Sequence, residues 1–197
     1  MTYQQQLREV SLSERGYVTT AVAKEIGVPT VELRKLAARG TLEHVARGVY
    51  RFTDTYLDGD DGYYEAVLRA GRGAVLVDHS VLAMHDLALV VPKVVTVATP
   101  HRVRLKDPKW VRVMPMKLNP DEITSYRNIP SMTVAKAIEN AFGNLMPDRL
   151  LEAINQADHS YLITKKEAIR LRRALRNRYS NIKNSTTTAK SSNDLRA

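Results

Sequence analysis

Up to residue 56 the apolar positions recur at helical spacing and then in two short strand-like runs; beyond it, helical patterns alternate with valine-rich segments. Residues 2–14 predict a first helix with Leu7 and Val10 as a modest apolar stripe, broken by Gly16 and Tyr17. Thr19 to Gly27 predicts a short second helix, with Ala21, Val22, Ala23 and Ile26 as inward positions. Gly27 supplies the permissive backbone that a tight turn needs. A third helix is expected from Pro29 to Arg39, because proline costs nothing where a helix begins and Gly40 suits a left-handed cap. Leu42–Val45 and Val49–Phe52 flank an Ala-Arg-Gly turn and read as a hairpin.

The acidic stretch Thr53–Gly62, TDTYLDGDDG, has little to bury and marks the expected domain boundary. Residues 63–72 are helical in pattern, and Val81–Leu89 predicts a short helix capped by Asp78 or Ser80. Lys93–Thr99 and Trp110–Met116 are valine-rich and read as strands, joined by the basic loop Pro100–Lys109. Helices are expected at Thr133–Phe142, Asp148–Asp158 and Thr164–Arg178, the last opened by a Thr164/Glu167 capping box. From Ser180 the chain is too polar to bury a face and is expected to be disordered. The expected fold class is α+β. A winged helix-turn-helix over residues 1–56 is followed by a mixed α/β domain over 57–179, with a small sheet and several helices, and by a tail over 180–197.

Composition changes this picture in two ways. With 44% apolar and 26% charged residues the chain is ordinary globular material, and it has no apolar run of 18 residues. The start, MTYQQQLREV, has no apolar core of the kind a secretory signal carries. Zero cysteines exclude disulfides, thiol catalysis and iron–sulfur ligation, so a cytoplasmic location is expected. The net charge of +9 is unevenly spread. Residues 1–56 carry 8 basic and 6 acidic side chains, 57–164 carry 12 and 13, and 165–197 carry 10 and 2. Such a cationic end points to nucleic acid, with an anionic membrane surface or a merely solvated tail as alternatives.

Helix, glycine turn, helix, hairpin is the order of a winged helix-turn-helix, in which the second of the paired helices enters the major groove. On the helix from Pro29, residues Leu33, Leu36 and Ala37 share the inward face. Val31, Lys35 and Ala38 lie opposite, edged by Arg34 and Arg39. Arg34 is the candidate base reader, since its planar fork can meet guanine O6 and N7 together. Lys35, Arg39 and Thr30 suit phosphates, and Val31 suits a thymine methyl. In the hairpin, Arg47 and Arg51 are expected to hold the backbone.

The last helix gives a second cationic surface. Thr164, Ala168, Leu171 and Leu175 form its expected inward stripe, while Lys165, Lys166, Arg170, Arg172, Arg173, Arg176 and Arg178 fill much of the rest. Like charges three and four apart repel, and a polyanion relieves that. The apolar face is too small for a membrane-lying helix.

Catalytic patterns are missing. Asp78, His79, His85 and Asp86 lack the spacing of a metal site, so the two histidines read as capping or packing residues. Ser80 lacks a Gly-x-Ser-x-Gly context, the glycines of Ala70–Gly73 are too few to cradle phosphates, and Asp121–Glu122 has no nearby lysine partner of the kind a magnesium nuclease needs. No enzyme activity and no cofactor or metal is expected.

From Ala21 to Ala157 the sequence resembles two-domain antitoxins of the AbiE abortive-infection, type IV toxin–antitoxin class. The resemblance rests on GTLEHVARGVYR (Gly40–Arg51), VDHSVLAMHDL (Val77–Leu87), VVTVATP and IPSMTVAKAIENAF (Ile129–Phe142). It implies an N-terminal domain that binds inverted repeats in its own promoter and represses the operon. It also implies a C-terminal domain that counters a nucleotidyltransferase-like toxin, usually without a stable complex. Pro29 departs from the Ser or Thr often found at the start of the recognition helix, which shifts weight onto Thr30. A ligand-responsive winged-helix repressor and a module that sequesters a toxin directly are the alternative readings.

Overall fold

A computed structural model describes residues 1–105 and 109–191, the last stretch from Ser180 as helix backbone only. Thr2 opens the chain with a capping box, exchanging hydrogen bonds with Gln5 at 2.8 and 3.2 Å, and α1 (Tyr3–Ser13) follows. The chain then enters β1 (Tyr17–Thr19), α2 (Thr20–Glu25), α3 (Thr30–Ala38), β2 (Leu42–Ala46) and β3 (Val49–Phe52). The sheet order is β1-β3-β2, all antiparallel. The expected hairpin is therefore present, joined by a third strand where the sequence suggested only a break.

This small sheet has two occupied faces, because side chains alternate across a strand. Val18, Tyr50, Leu42 and Phe52 point into a core with Leu7, Ala23, Val28, Leu33 and Leu36. Tyr17 and Val49 point the other way and join the core of the remaining chain. Burying a leucine such as Leu33 contributes about 1.5–3 kcal/mol, and Leu7, Leu33 and Phe52 are fully buried.

Beyond the acidic stretch come α4 (Asp61–Ala70), β4 (Val75–Leu76), α5 (His79–Met84), β5 (Val95–Thr99), β6 (Val111–Pro115), β7 (Ile123–Tyr126) and β8 (Ile129–Met132). The chain ends in α6 (Val134–Asn140), α7 (Pro147–His159) and α8 (Lys165–Ser191). The five strands run β6-β5-β4-β8-β7, with β5–β6 and β4–β8 parallel and the other pairs antiparallel. The fold is α+β. The sequence pattern missed β4, which is two residues long, and the β7–β8 hairpin. Pro130 disguises β8, and β7 is largely exposed, so neither shows an apolar alternation. Their turn uses Arg127 (φ +47°) and Asn128 (φ +65°), both in the left-handed region that tight hairpins require.

Several expected boundaries move. α5 begins two residues earlier than expected and stops at Met84, because Asp86 (φ +54°) turns the chain and Leu87 N–H donates to Leu82 O at 2.8 Å. Asp78 stands at its N-cap as expected, but neither Asp78 nor Ser80 gives it a side-chain cap bond. Asp78 accepts instead from Asn140 Nδ2 at 2.8 Å, and Ser80 Oγ accepts from Thr96 N–H at 2.8 Å. Thr164 is exposed rather than inward: it makes the capping box with Glu167. α8 continues as helix to Ser191, past the expected end at Arg178 and into the stretch expected to be disordered. Its backbone bonds propagate from a first half packed by Ala168, Leu171 and Leu175. The end of the expected tail, residues 192–197, lies outside the described residues, as do residues 106–108 of the basic loop.

The acidic stretch is not bare. Arg15 pairs with Asp58 and, at 2.9 Å, with Asp61, whose side chain is 8% exposed. Arg127 pairs with Asp60 at 2.9 Å, Tyr64 donates to Glu14, and Asn128 Nδ2 donates to Ser13 O at 2.7 Å. Burial and the neighbouring Glu14 carboxylate push the Tyr64 phenol far above its ordinary range, so it remains a donor.

Arg15→Ala leaves the Asp61 carboxylate buried and unpaired, and is expected to cost about 3 kcal/mol in a denaturant titration. His85 packs edge-on against Tyr126 at 4.4 Å, and burial holds its pKa below the ordinary imidazole value, with Asp60 and Asp86 partly opposing. The unfolded chain therefore takes up the proton first. Stability is expected to fall as pH drops below the ordinary histidine pKa of about 6.5, and His85→Phe should flatten that fall in urea melts at stepped pH.

Candidate nucleic-acid interface

The turn between α2 and α3 is fixed by backbone bonds. Val28 N–H donates to Ala23 O at 2.7 Å, Gly27 N–H to Lys24 O at 3.1 Å, and Gly27 takes φ +75°. Pro29 stands one position before the helix, with its carbonyl accepting from Glu32 N–H at 2.9 Å and no side-chain cap bond. Thr30 is the first helical residue and is half-buried. The other end closes as expected: Gly40, at φ +77°, donates to Ala37 O at 3.0 Å and Thr41 to Leu36 O at 3.0 Å.

Leu33 and Leu36 are buried and Ala37 packs beside them, which fixes the rotation of α3. The opposite face presents Val31, Arg34, Lys35, Ala38 and Arg39 to solvent. Lys35 pairs with Glu32 at 2.7 Å, an exposed pair worth little. Arg34 and Arg39 have no ion-pair partner among the described residues. That leaves a planar donor fork on the convex side of a short, well-anchored helix.

The hairpin divides its two arginines. Arg47 stands exposed at the turn beside Gly48 (φ +76°), where an added Cβ would lie 2.8 Å from Thr20 Oγ1. Arg51 faces inward from β3. It pairs with Glu43 across the strands at 2.5 Å, donates to Tyr17 Oη at 3.3 Å and lies 3.8 Å from Glu65, which also holds Arg69. Burial lifts the Tyr17 phenol to about 12, so it stays neutral in this network. Register explains the difference: Tyr17, Arg51 and Glu43 are direct partners on the sheet face turned toward the core of the remaining chain.

On α8 the cations also separate. Arg172 donates to Asn155 at 2.9 Å and to Asp158 at 3.0 Å, and Lys165 pairs with Asp158 at 2.8 Å. These contacts fasten α8 to α7 and hold the Asp158 carboxyl below the ordinary range. Arg170 lies 3.8 Å from Glu139. Lys166, Arg173 and Arg176 are exposed, with no ion-pair partner among the described residues.

One cation went unnoticed in the sequence as more than part of a helix-ending glycine stretch. Arg72, in the turn after α4, lines the same cleft as Arg47. Only the fold brings them together, and no local signal could have linked them. Among the described residues no three His, Asp or Glu side chains are grouped as a metal would require. His85 caps the end of α5 and packs on Tyr126. No described helix is long and apolar enough to cross a membrane.

Residues 5–53, which hold most of α1 and all elements from β1 to β3, match the family model described as "Transcriptional regulator, AbiEi antitoxin". That segment is AbiEi-like. The match spans about a quarter of the chain's length and ends at the acidic stretch, so the AbiEi-like segment coincides with the unit that presents α3 and the hairpin. No curated protein matches the chain.

Arg51→Ala is expected to lower stability by about 1–2 kcal/mol, because it strips a charged donor from Tyr17 and Glu43. Arg47→Ala should stay within about 0.5 kcal/mol of the parent. Paired urea titrations of the two variants check this.

Proposed function

We propose that this protein is a DNA-binding antitoxin that represses its own operon. In this reading residues 1–56 form a winged helix-turn-helix, α3 is the recognition helix and the β2–β3 hairpin is the wing. Residues 57–179 form the domain that counters a nucleotidyltransferase-like toxin. The observation that carries the proposal is the exposed, unpaired Arg34 on the outward face of α3, within the segment that matches the AbiEi antitoxin regulators.

The mechanism assigns roles by exposure. Arg34 reads a guanine edge and Val31 approaches a thymine methyl. Thr30, Lys35, Arg39 and Arg47 hold phosphates and set the register of the helix. Arg51 acts indirectly, keeping the hairpin aligned with Tyr17 and Glu43. On α8, Lys166, Arg173 and Arg176 offer a second phosphate-binding surface. Lys165 and Arg172 orient the helix that carries them, and Arg170 stands between these groups. With both surfaces engaged, two protomers would occupy two half-sites of an inverted repeat. The protein works inside the cytoplasm, as part of phage defence, without catalysis or cofactor.

Arg34→Ala is expected to cost about 1–3 kcal/mol of binding to the chain's own upstream DNA and to relax preference at one base pair. Arg173→Ala with Arg176→Ala should weaken all sequences alike, flattening the salt dependence by roughly one unit per lost phosphate contact. Electrophoretic titration across salt concentrations separates the two. A change only in salt dependence for Arg34→Ala would overturn the base-reading role. In cells co-expressing the downstream gene, Arg34→Ala should derepress the promoter yet still rescue growth, which distinguishes repression from toxin control.

A further inference from the structure

A cleft of about 690 Å³ separates the hairpin and α2 from the second unit, within the range of about 300–1,000 Å³ typical of ligand sites. Its walls come from both units. Arg47 and Thr20 line it from the first, while Arg72 and Ser125 line it from the second. Neither arginine has an ion-pair partner, and neither hydroxyl has a hydrogen-bond partner, among the described residues. Four unengaged donors thus line a single space. Val67 and Pro130 add apolar surface to it.

Two carboxylates also line the cleft, Glu14 and Glu25. Glu14 accepts from the Tyr64 hydroxyl and is satisfied there. Glu25 is exposed and disfavours a ligand of high negative charge. Two fixed cations and two neutral donors, set against two carboxylates of which Glu14 is already hydrogen-bonded, suit a phosphate ester with few charges, whose oxygens accept from forked and hydroxyl donors together.

We propose that this cleft is a phosphate-ester site, with Arg47 and Arg72 supplying the charge and Thr20 and Ser125 the neutral hydrogen bonds. The phosphate belongs either to a free nucleotide or to a DNA backbone that passes the hairpin. The site is independent of base reading by α3. A free nucleotide here would clamp the hairpin to the second unit and so tie DNA affinity to the small molecule.

The test uses the full chain, Arg72→Gln and Arg47→Gln/Arg72→Gln, with AMP and with a duplex from the upstream region. If the occupant is a free nucleotide, AMP raises the melting temperature of the parent, and calorimetric affinity falls at least tenfold in the double variant. If it is a backbone phosphate, AMP is silent and Arg72→Gln lowers the salt slope of duplex binding by about one unit, with sequence preference retained. AMP silence together with an unchanged salt slope overturns the proposal. Should the parent bind no duplex at all, the DNA reading fails by itself and the AMP titration alone decides. Both arginines are exposed, so unliganded melting curves matching the parent's confirm that the variants fold.

Discussion

The alternation of side chains along β1 and β3 governs how this molecule is put together. One face of a three-stranded sheet closes the core beneath α3, and the other carries Tyr17, Val49 and Arg51 into the second unit. A sheet buried on both faces cannot slip by one residue without exchanging its two sets of partners. The rotation of α3 is therefore fixed against a layer that is itself fixed against the body of the protein. The acidic stretch adds to this hold, since Asp58, Asp60 and Asp61 are answered by Arg15 and Arg127. A segment with little to bury in sequence becomes an ion-paired seam.

Where a local rule sufficed, the sequence foretold the structure well. Gly27 and Gly40 adopt the left-handed conformations expected of them, Leu33 and Leu36 turn inward, Gly48 makes the hairpin turn, and Thr164 with Glu167 caps α8. Failures came where tertiary partners outbid local chemistry. Asp78 stands at the N-cap as expected, yet Asn140, 62 residues away, takes its oxygen. Arg51 looked like a free wing cation until the register set it beside Tyr17 and Glu43. β8 hides behind Pro130, and β1 is too short to show a period.

The cations illustrate the same lesson at the level of chemistry. Charge counting along α8 treats its lysines and arginines as equivalent, but Asp158 on α7 claims Lys165 and Arg172 and leaves Lys166, Arg173 and Arg176 outward. Positive charge near the front of the chain is scarcer, and Arg34 is open because its helix neighbours give it nothing to pair with. What distinguishes a structural arginine from a presented one is the nearest carboxylate, and that is a property of the fold.

The five-stranded sheet hangs on its shortest member. β4 contributes two residues, Val75 and Leu76, and joins β5 on one side and β8 on the other through three register pairs. The β5–β6 ladder and the β7–β8 hairpin are longer and more self-sufficient. The sheet therefore has a narrow waist, and its two halves are held together less by their central rungs than by the helices laid across them. The middle of the sheet is kept by the burial of Val75, Leu76, Val97 and Ala98 rather than by the length of its ladder.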